Sequence, residues 1–198
     1  MTMKQIFEDP IVVIDTETTG RSNSAEVVEI GAICLDEYGR TRSKFSSLIR
    51  PTVINATARE ALAINKIPEE ALQKAPLPSV VKEMFLSWYN DIPIQHDRPL
   101  CLAFNVSFDK RMLDNFGVRL RWGRCLSDIT HLITKDAGAI FLNKANVPKT
   151  PNLEEACSFF ELTYPENAHR AIADAEVTAQ IAILIASKAP QYLIKNSK

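Results

Sequence analysis

The sequence carries almost no net charge, and this limits how it can bind other molecules. Its 198 residues include 23 lysines and arginines against 24 aspartates and glutamates, so the formal net charge at pH 7 is −1. Non-specific binding of polyanions through overall charge is therefore excluded. If the chain binds nucleic acid, we expect it to do so through local basic patches or through bound metal ions.

Cysteine is scarce as well. The four cysteines (Cys34, Cys101, Cys125 and Cys157) lie far apart, form no Cys-x-x-Cys pair, and each sits in an apolar run. This spacing argues against a structural zinc site. It favours buried free thiols in a reducing compartment.

The chain also lacks long apolar segments. No run approaches the roughly 20 residues of a membrane span. Residues 1–10 contain acids and only one lysine, unlike a signal peptide. We therefore expect a cytoplasmic protein with no membrane contact. No repeat, low-complexity tract or long linker interrupts the sequence, so we predict one domain over residues 1–198, with a core of about 10–187.

The most informative stretch that is present covers residues 11–20, IVVIDTETTG. Its β-branched apolar half predicts a buried central strand. Because side chains alternate along a strand, Asp15 and Glu17 would point to the same face. Two neighbouring carboxylates repel each other, and a divalent cation between them would relieve the repulsion. The same spacing at Asp174 and Glu176 lies in a helical pattern, where the two side chains would be about 200° apart.

The remaining pattern predicts an α/β protein with a mixed, layered sheet. Strands are expected at 25–36, 43–50 and 100–104, and helices at 55–63, from 68, at 79–88, 105–116, 126–134, 152–162 and 171–188. Residues 136–151 have no clear period and predict a loop with a short helix around 140–143. In the helix at 79–88, the apolar side chains on one face predict core packing; they are Val80, Val81, Met84, Phe85 and Trp88.

Three further polar residues could join Asp15 and Glu17. Asp109 lies in the first turn of the helix after the strand at 100–104. A simpler explanation for this acid is that a helix N-terminus favours a carboxylate electrostatically. Asp174 lies in an apolar helix and must be either exposed or paired, because a buried unpaired charge is costly. His169 precedes it by five residues. We expect His169 on the loop that enters the helix, because on one helix the two side chains would be about 140° apart.

Taken together, these blocks resemble a known superfamily. Asp15-x-Glu17 on a strand, Asn105-x-x-Phe108-Asp109, and His169-x-x-x-x-Asp174 match, in order, the motifs of the DEDDh 3′–5′ exonucleases. The chain is most similar to DnaQ-like proteins, such as the proofreading epsilon subunit of bacterial DNA polymerase III, over about residues 11–185. The resemblance implies an RNase H-like fold with a mixed five-stranded sheet flanked by helices.

The resemblance also implies a mechanism. Asp15, Glu17, Asp109 and Asp174 would bind two Mg²⁺ ions, for which Mn²⁺ can substitute, and Glu17 would contact both. His169 would take a proton from the attacking water. The products would be nucleoside 5′-monophosphates released from the 3′ end, with single-stranded DNA as the first expected substrate and RNA as the second. A DNA polymerase is a candidate partner.

Contacts to the terminal nucleotide are implied at three places: the end of the first strand, the helix at 55–63 and the start of the helix at 105–116. The residues are Thr18, Thr19, Glu60, Asn65, Asn105 and Phe108. The epsilon-like branch of the family has a histidine where this chain has Asn65, so hydrogen bonding remains available but a stacking ring is lost. Plainer alternatives are a strand-to-turn step for Thr18 and Thr19, a helix cap for Asn105 and core packing for Phe108. Basic residues in the stretch 119–124, with Lys110 and Arg111, either guide the phosphate backbone or form a solvated face.

Three other functions remain open at this point. An exoribonuclease of the RNase T or oligoribonuclease kind would use the same catalytic residues. A catalytically inactive binding module would typically lack one of the acids or the histidine, and all five are present here. A metal-dependent hydrolase of another substrate is the third, since fold does not dictate substrate.

Overall fold

A computed structural model describes residues 4–95, 98–166 and 168–188. In that part of the chain, a five-stranded sheet has the order β3-β2-β1-β4-β5. Its strands are β1 (Ile11–Thr18), β2 (Val27–Leu35), β3 (Thr41–Leu48), β4 (Leu100–Leu102) and β5 (Arg121–Trp122). The helices are α1 (Ala56–Asn65), α2 (Glu69–Lys74), α3 (Pro78–Asn90), α4 (Val106–Asn115), α5 (Leu126–Asp136), α6 (Leu153–Phe159) and α7 (Ala171–Lys188).

The sheet is mixed, as predicted. β1, β2 and β3 form an antiparallel meander, whereas β4 is parallel to β1 and β5 is parallel to β4. Because β1 and β4 are neighbours that run in the same direction, their carboxyl ends meet at one edge. The crevice outside such strand ends is where open α/β sheets bind ligands.

The central strand β1 is covered on both faces, which explains its continuous apolar run. Ile11 and Val13 pack with residues of α5, α6 and α7, whereas Val12 and Ile14 pack with residues of α3 and α4. A smaller cluster joins Val28 of β2 to α1 and α2. The two helical layers therefore deliver side chains to the end of β1 from opposite faces of the sheet.

Two local predictions are wrong. Residues 140–143 form no helix; Leu142 instead makes an isolated bridge to Pro148. The side chain of Asn143 accepts hydrogen bonds from the backbone N–H groups of Ala145 and Val147, and such side-chain bonds favour a turn over a helix.

In α3, Val81 and Phe85 are buried as expected, but Val80 is 44% exposed and Met84 is 49% exposed. The helix packs on the sheet through a narrower stripe than its apolar residues suggest.

The strand β5 was missed, because the sequence there indicates only a basic stretch. Arg121 and Trp122 pair with Leu100 and Cys101 at the edge of the sheet. Two residues are too few to show an alternating pattern. Elsewhere the predicted elements are confirmed, with α6 ending at Phe159, three residues earlier than expected.

The free thiols that the cysteine spacing predicts are present. All four cysteines are free; three are buried and Cys125 is half-buried. Among residues 4–95, 98–166 and 168–188, none of the helices combines the length and apolar character that a membrane span requires.

Candidate active site

Three carboxylates meet where β1 ends. Asp15 and Glu17 project from β1 toward α7, and Asp174 reaches them from the first turn of that helix. One carboxylate oxygen from each lies within 4.8 Å of the others. The second Asp-x-Glu behaves as its helical setting predicts. Glu176 is exposed on the far side of α7 and pairs with Lys44 of β3 at 2.6 Å.

Asp174 is the least exposed of the three carboxylates. Its side chain is only 7% exposed. Its Oδ1 atom is buried and has no hydrogen-bond partner within the described residues. A buried carboxylate oxygen without a partner is costly. Oxygen-only donor sets are those that Mg²⁺ and Ca²⁺ prefer, so the cluster fits a hard divalent cation.

Burial and mutual repulsion raise the pKa values of these acids above their ordinary range. Burial, followed by the charges of Asp174 and Glu29, raises the pKa of Glu17 to about 8. Burial and the neighbouring Asp109 raise the pKa of Asp15 well above its usual range. Burial likewise raises the pKa of Asp174. A cation placed among them would reverse this trend by favouring the ionised forms.

Asp109 approaches the site from the other helical layer. It is buried in the first turn of α4, and its Oδ1 accepts hydrogen bonds from the backbone N–H of Thr16 at 3.0 Å and from its hydroxyl at 2.8 Å. Burial raises the pKa of Asp109 to about 7, and the bonds from Thr16 oppose this shift. Asp109 lines the same cavity as the three clustered carboxylates, although it is not within the group whose oxygens lie inside 4.8 Å.

His169 lies on the loop before α7, as predicted. Its side chain is exposed and lines the cavity. Its φ of 67° is in the left-handed region, which is unusual for a residue other than glycine. The charge of His169 and its backbone N–H both act to lower the pKa of Asp174, against the larger effect of burial. The imidazole is thus close to the acids and open to solvent.

The four acids line a cavity of about 610 Å³. Residues of α1 form one wall, and residues around the start of α4 form the other. Asn152, Leu153, Glu154 and Tyr164 complete its rim. This volume is in the range of small-molecule sites and suits one nucleotide unit.

Comparison with known proteins identifies the family. A model of the exonuclease family RNase_T matches residues 12–182. The chain belongs to this exonuclease family. Membership confirms the resemblance to DnaQ-like 3′–5′ exonucleases and the enzyme class predicted with it.

Among curated relatives, the exonuclease is similar to two DNA polymerases III of the PolC type. The protein from Oceanobacillus iheyensis is 25% identical over 182 residues, covering 90% of this chain and 11% of the relative. The protein from Clostridium perfringens is 27% identical over 183 residues, covering 90% of this chain and 11% of the relative. The chain therefore spans about a tenth of the length of these relatives.

Among solved structures, the fold resembles two nucleases. Cell-death related nuclease 4 (CRN-4) has a TM-score of 0.75 and 16% identity, with 94% of this chain and 67% of that chain covered. E. coli exonuclease I in complex with a dT13 oligonucleotide has a TM-score of 0.73 and 17% identity, with 93% and 42% covered. These likenesses support the RNase H-like fold.

Five of the six residues predicted to contact substrate line the exonuclease cavity: Thr18, Glu60, Asn65, Asn105 and Phe108. Thr19 does not. Its backbone N–H donates to the carbonyl of Glu26 at 2.9 Å, and its hydroxyl accepts from the Glu26 N–H. Thr19 therefore fastens the end of β1 to the neighbouring segment, and its amide is not available to a ligand.

The five lining residues differ in what holds them. Asn65 is buried and its amide nitrogen donates to the carbonyl of Thr18 at 3.3 Å, so it ties α1 to β1. Asn105 occupies the N-cap position of α4 but makes no capping bond; its side chain accepts from Ser107 instead. Phe108 is half-buried against the core and also borders the cavity, so the two readings of this residue coexist.

Sequence reasoning missed one charged pair beside the site. Glu29 is 1% exposed in β2, directly opposite Glu17 in the strand register. Its carboxylate accepts hydrogen bonds from Arg170 Nε at 3.0 Å and from a terminal guanidinium nitrogen at 2.8 Å. The sequence offered a signal, because an acid within the otherwise apolar run VVEIGAICL requires a partner if that strand is buried. The sequence does not show which of its cations that partner is.

Proposed function

We propose that this chain hydrolyses nucleic acid from the 3′ end with divalent cations held by Asp15, Glu17, Asp109 and Asp174, and that single-stranded DNA is its preferred substrate. The observation that carries the proposal is the buried carboxylate group at the end of β1. It includes an Asp174 oxygen without a partner in the described residues. Exonucleases of this family generally use divalent metal ions.

The donor set favours two Mg²⁺ ions, with Mn²⁺ as a substitute. Asp15, Glu17 and Asp174 converge from one face of the sheet, and Asp109 reaches the same cavity from the other. Four carboxylates supply enough negative charge for two divalent cations. When bound, the cations would neutralise the phosphodiester and stabilise charge on the attacking and leaving oxygens.

His169 supplies the proton acceptor. A water that attacks the terminal phosphorus must lose a proton, and a positioned imidazole is a suitable acceptor near neutral pH. His169 borders the cavity and is exposed to solvent, so water can reach the imidazole and the cavity beside it. The bond from phosphorus to the 3′-oxygen of the penultimate nucleotide breaks, that oxygen gains a proton, and a nucleoside 5′-monophosphate leaves.

The cavity walls would hold the terminal nucleotide. Phe108 offers an aromatic face on which a base can stack. Glu60 and Asn105 are exposed polar groups on opposite walls and can accept hydrogen bonds from sugar or base. Asn65 and Thr18, already bonded to each other, shape the wall between them.

The preference for DNA is supported by the relatives. The PolC-type proteins are DNA polymerases by name, and the similar E. coli exonuclease I was crystallised with a dT13 oligonucleotide. The PolC relatives also make a DNA polymerase the most reasonable protein partner. Free thiols agree with a reducing, cytoplasmic compartment. We propose a single exonuclease domain for this chain, with its core at about residues 10–187.

Substrate choice is tested with matched single-stranded DNA and RNA of one sequence, each labelled at the 5′ end, in the presence of Mg²⁺. We expect stepwise shortening of both labelled strands from the 3′ end, with kcat/KM at least about tenfold higher for DNA. A higher value for RNA would replace the DNA proposal with an exoribonuclease. Stable binding without shortening of either strand would instead indicate an inactive binding module.

A further inference from the structure

The first turn of α7 is anchored to β2 by one acid. Glu29 accepts three hydrogen bonds from consecutive residues: two from the guanidinium of Arg170 and one from the backbone N–H of Ala171 at 3.2 Å. The pair joins positions 141 residues apart in the sequence. Since Ala171 begins the helix, Glu29 also satisfies one of the N–H groups that a helix N-terminus leaves without a partner.

A glycine two residues further along β2 shows how closely the helix is seated. A Cβ atom at Gly31 would lie 2.2 Å from the carbonyl carbon of Ala171 and 2.3 Å from the nitrogen of Ile172. Contacts that short do not occur, so only glycine allows the backbone of α7 to approach here. Gly31 and Glu29 share a face of β2. One residue admits the start of α7 and the other binds it.

The anchored residue is the direct neighbour of His169. His169 has a positive φ, a backbone conformation that side-chain-bearing residues avoid unless the surrounding structure imposes it. On its C-terminal side, Arg170 and Ala171 are both bonded to Glu29. On its N-terminal side, the N–H of Ala168 donates to the carbonyl of Pro165 at 3.0 Å. The exposed imidazole therefore lies between a backbone turn on its N-terminal side and an anchor to β2 on its C-terminal side.

We propose that the Glu29–Arg170 ion pair is a positioning device that holds His169 over the carboxylate cluster. The inference rests on the general-base role given to His169 in the proposed function. The pair also keeps Glu29 out of the metal cluster, because three N–H groups occupy its two oxygens even though it lies opposite Glu17. Neither Glu29 nor Arg170 lines the cavity. Their opposite charges both act on Glu17, and the positioning role proposed here is the geometric effect of the pair on the neighbouring histidine.

The test compares Arg170→Lys with a matched control, Glu176→Gln. Lysine keeps the positive charge but cannot make the bidentate pair of hydrogen bonds that the Arg170 guanidinium donates to Glu29. The control removes another ion pair between α7 and the sheet, that of Glu176 with Lys44, which lies outside the cavity. We expect Arg170→Lys to lower kcat on single-stranded DNA about tenfold with little change in KM, as a small misplacement of a catalytic group does. Glu176→Gln should retain the wild-type kcat.

The decisive comparison is made in a His169→Ala background. If the ion pair acts through His169, adding Arg170→Lys to His169→Ala should lower kcat less than about twofold further. A tenfold further loss would mean that the pair acts elsewhere, and an unchanged kcat in the single variant would mean that it positions nothing. Either result overturns the proposal.

Amide hydrogen exchange separates this proposal from the proposed function. We expect exchange at Ala168 and Ala171 to be at least about tenfold faster in Arg170→Lys than in Glu176→Gln. If His169→Ala keeps the wild-type rate, the general-base role fails whatever the exchange shows. If exchange at these residues is unchanged in Arg170→Lys, the anchoring role fails whatever the activity shows.

Discussion

Thr16 and Asp109 are 93 residues apart in sequence, yet two hydrogen bonds join them, from the backbone N–H and the hydroxyl of Thr16 to one carboxylate oxygen of Asp109. Asp15 and Glu17, on either side of Thr16, face α7, whereas Thr16 faces the layer of α4. The strand thus places two acids on one face and holds a third acid from the other.

Thr16→Val removes the hydroxyl bond and keeps the backbone bond. Because hydrogen bonds to a carboxylate favour its ionised form, the pKa of Asp109 should rise further in the variant. We expect about a tenfold loss of exonuclease rate at pH 7, with partial recovery at higher pH where Asp109 ionises again. A pH–rate profile measures this.

Thr130→Val is the matched control, because the buried hydroxyl of Thr130 has no partner among the described residues. It should leave the rate profile unchanged. If both variants behave alike, Thr16 has no special role in holding Asp109.

Asp174→Asn should have opposite effects on stability and activity. It removes one of several buried acids that repel each other, so the metal-free protein should gain on the order of 1 kcal/mol in free energy of unfolding. The exonuclease rate should fall at least about a hundredfold, because a proposed metal ligand is lost. Denaturant unfolding and the gel assay measure the two effects.

The exposed neighbour provides the comparison for Asp174. Glu176→Gln changes an acid two residues away on the same helix but outside the cavity. It should alter neither the rate nor the stability by more than a few tenths of a kcal/mol, as is usual for a surface pair. A metal-free Asp174→Asn protein that is markedly less stable than wild type would contradict the repulsion argument.

Stability of the metal-free protein should fall as the pH rises. The folded-state pKa of Glu17 is about 8, against an ordinary value of 4.5, so the folded protein binds more protons than the unfolded chain between these two values. The free energy of unfolding therefore decreases from about pH 4.5 to about pH 8, by on the order of a few kcal/mol. Thermal unfolding in EDTA across this range measures it.

Added Mg²⁺ should reverse that trend. A cation that binds ionised carboxylates stabilises the folded protein most where those groups are otherwise forced to be charged. The rise in Tm on adding Mg²⁺ should be larger at pH 8 than at pH 5. Glu17→Gln should show a flatter pH dependence in EDTA. An equal Mg²⁺ effect at both pH values would argue against binding at this cluster.

Phe108→Leu tests the aromatic wall of the cavity. Loss of a stacking face should raise KM for single-stranded DNA about fivefold to tenfold, since stacking of a base on an aromatic ring is worth ~1–3 kcal/mol. The kcat value should change little, because the Phe108 side chain takes no part in the hydrogen bonds that hold Asp109. Phe116→Leu is the control: Phe116 packs on the same core cluster but does not line the cavity. Equal effects from both variants would assign Phe108 to packing alone.

The sequence predicts those parts of the fold that local pattern determines. The continuous β-branched run of β1 and the alanine-rich, apolar sequence of α7 are strong local signals, and Asn152 forms the capping box of α6. Elements that depend on distant neighbours are less visible. β5 exists only because β4 offers an edge, and the exposure of Val80 and Met84 depends on how α3 lies against the sheet.

The same distinction applies to the site. The strand period alone predicts that Asp15 and Glu17 share one face. The helix period alone predicts that Glu176 points away from Asp174. By contrast, Thr16 with Asp109 and Glu29 with Arg170 join parts of the chain 93 and 141 residues apart. Nothing in the local sequence selects such partners, because each partner is chosen by the packing of α4 or α7 on the sheet.

The most direct test of the proposed metal site is the Mg²⁺ dependence of nucleotide release by the wild-type protein and by Asp15→Asn. The substrate is single-stranded DNA labelled at its 5′ end, and released nucleotides are identified by chromatography. We predict that the wild type shortens the strand stepwise from the 3′ end, releases nucleoside 5′-monophosphates and stops in EDTA, and that Asp15→Asn is at least about a thousandfold slower at every Mg²⁺ concentration. Wild-type rates in Asp15→Asn, or undiminished release in EDTA, would contradict the account.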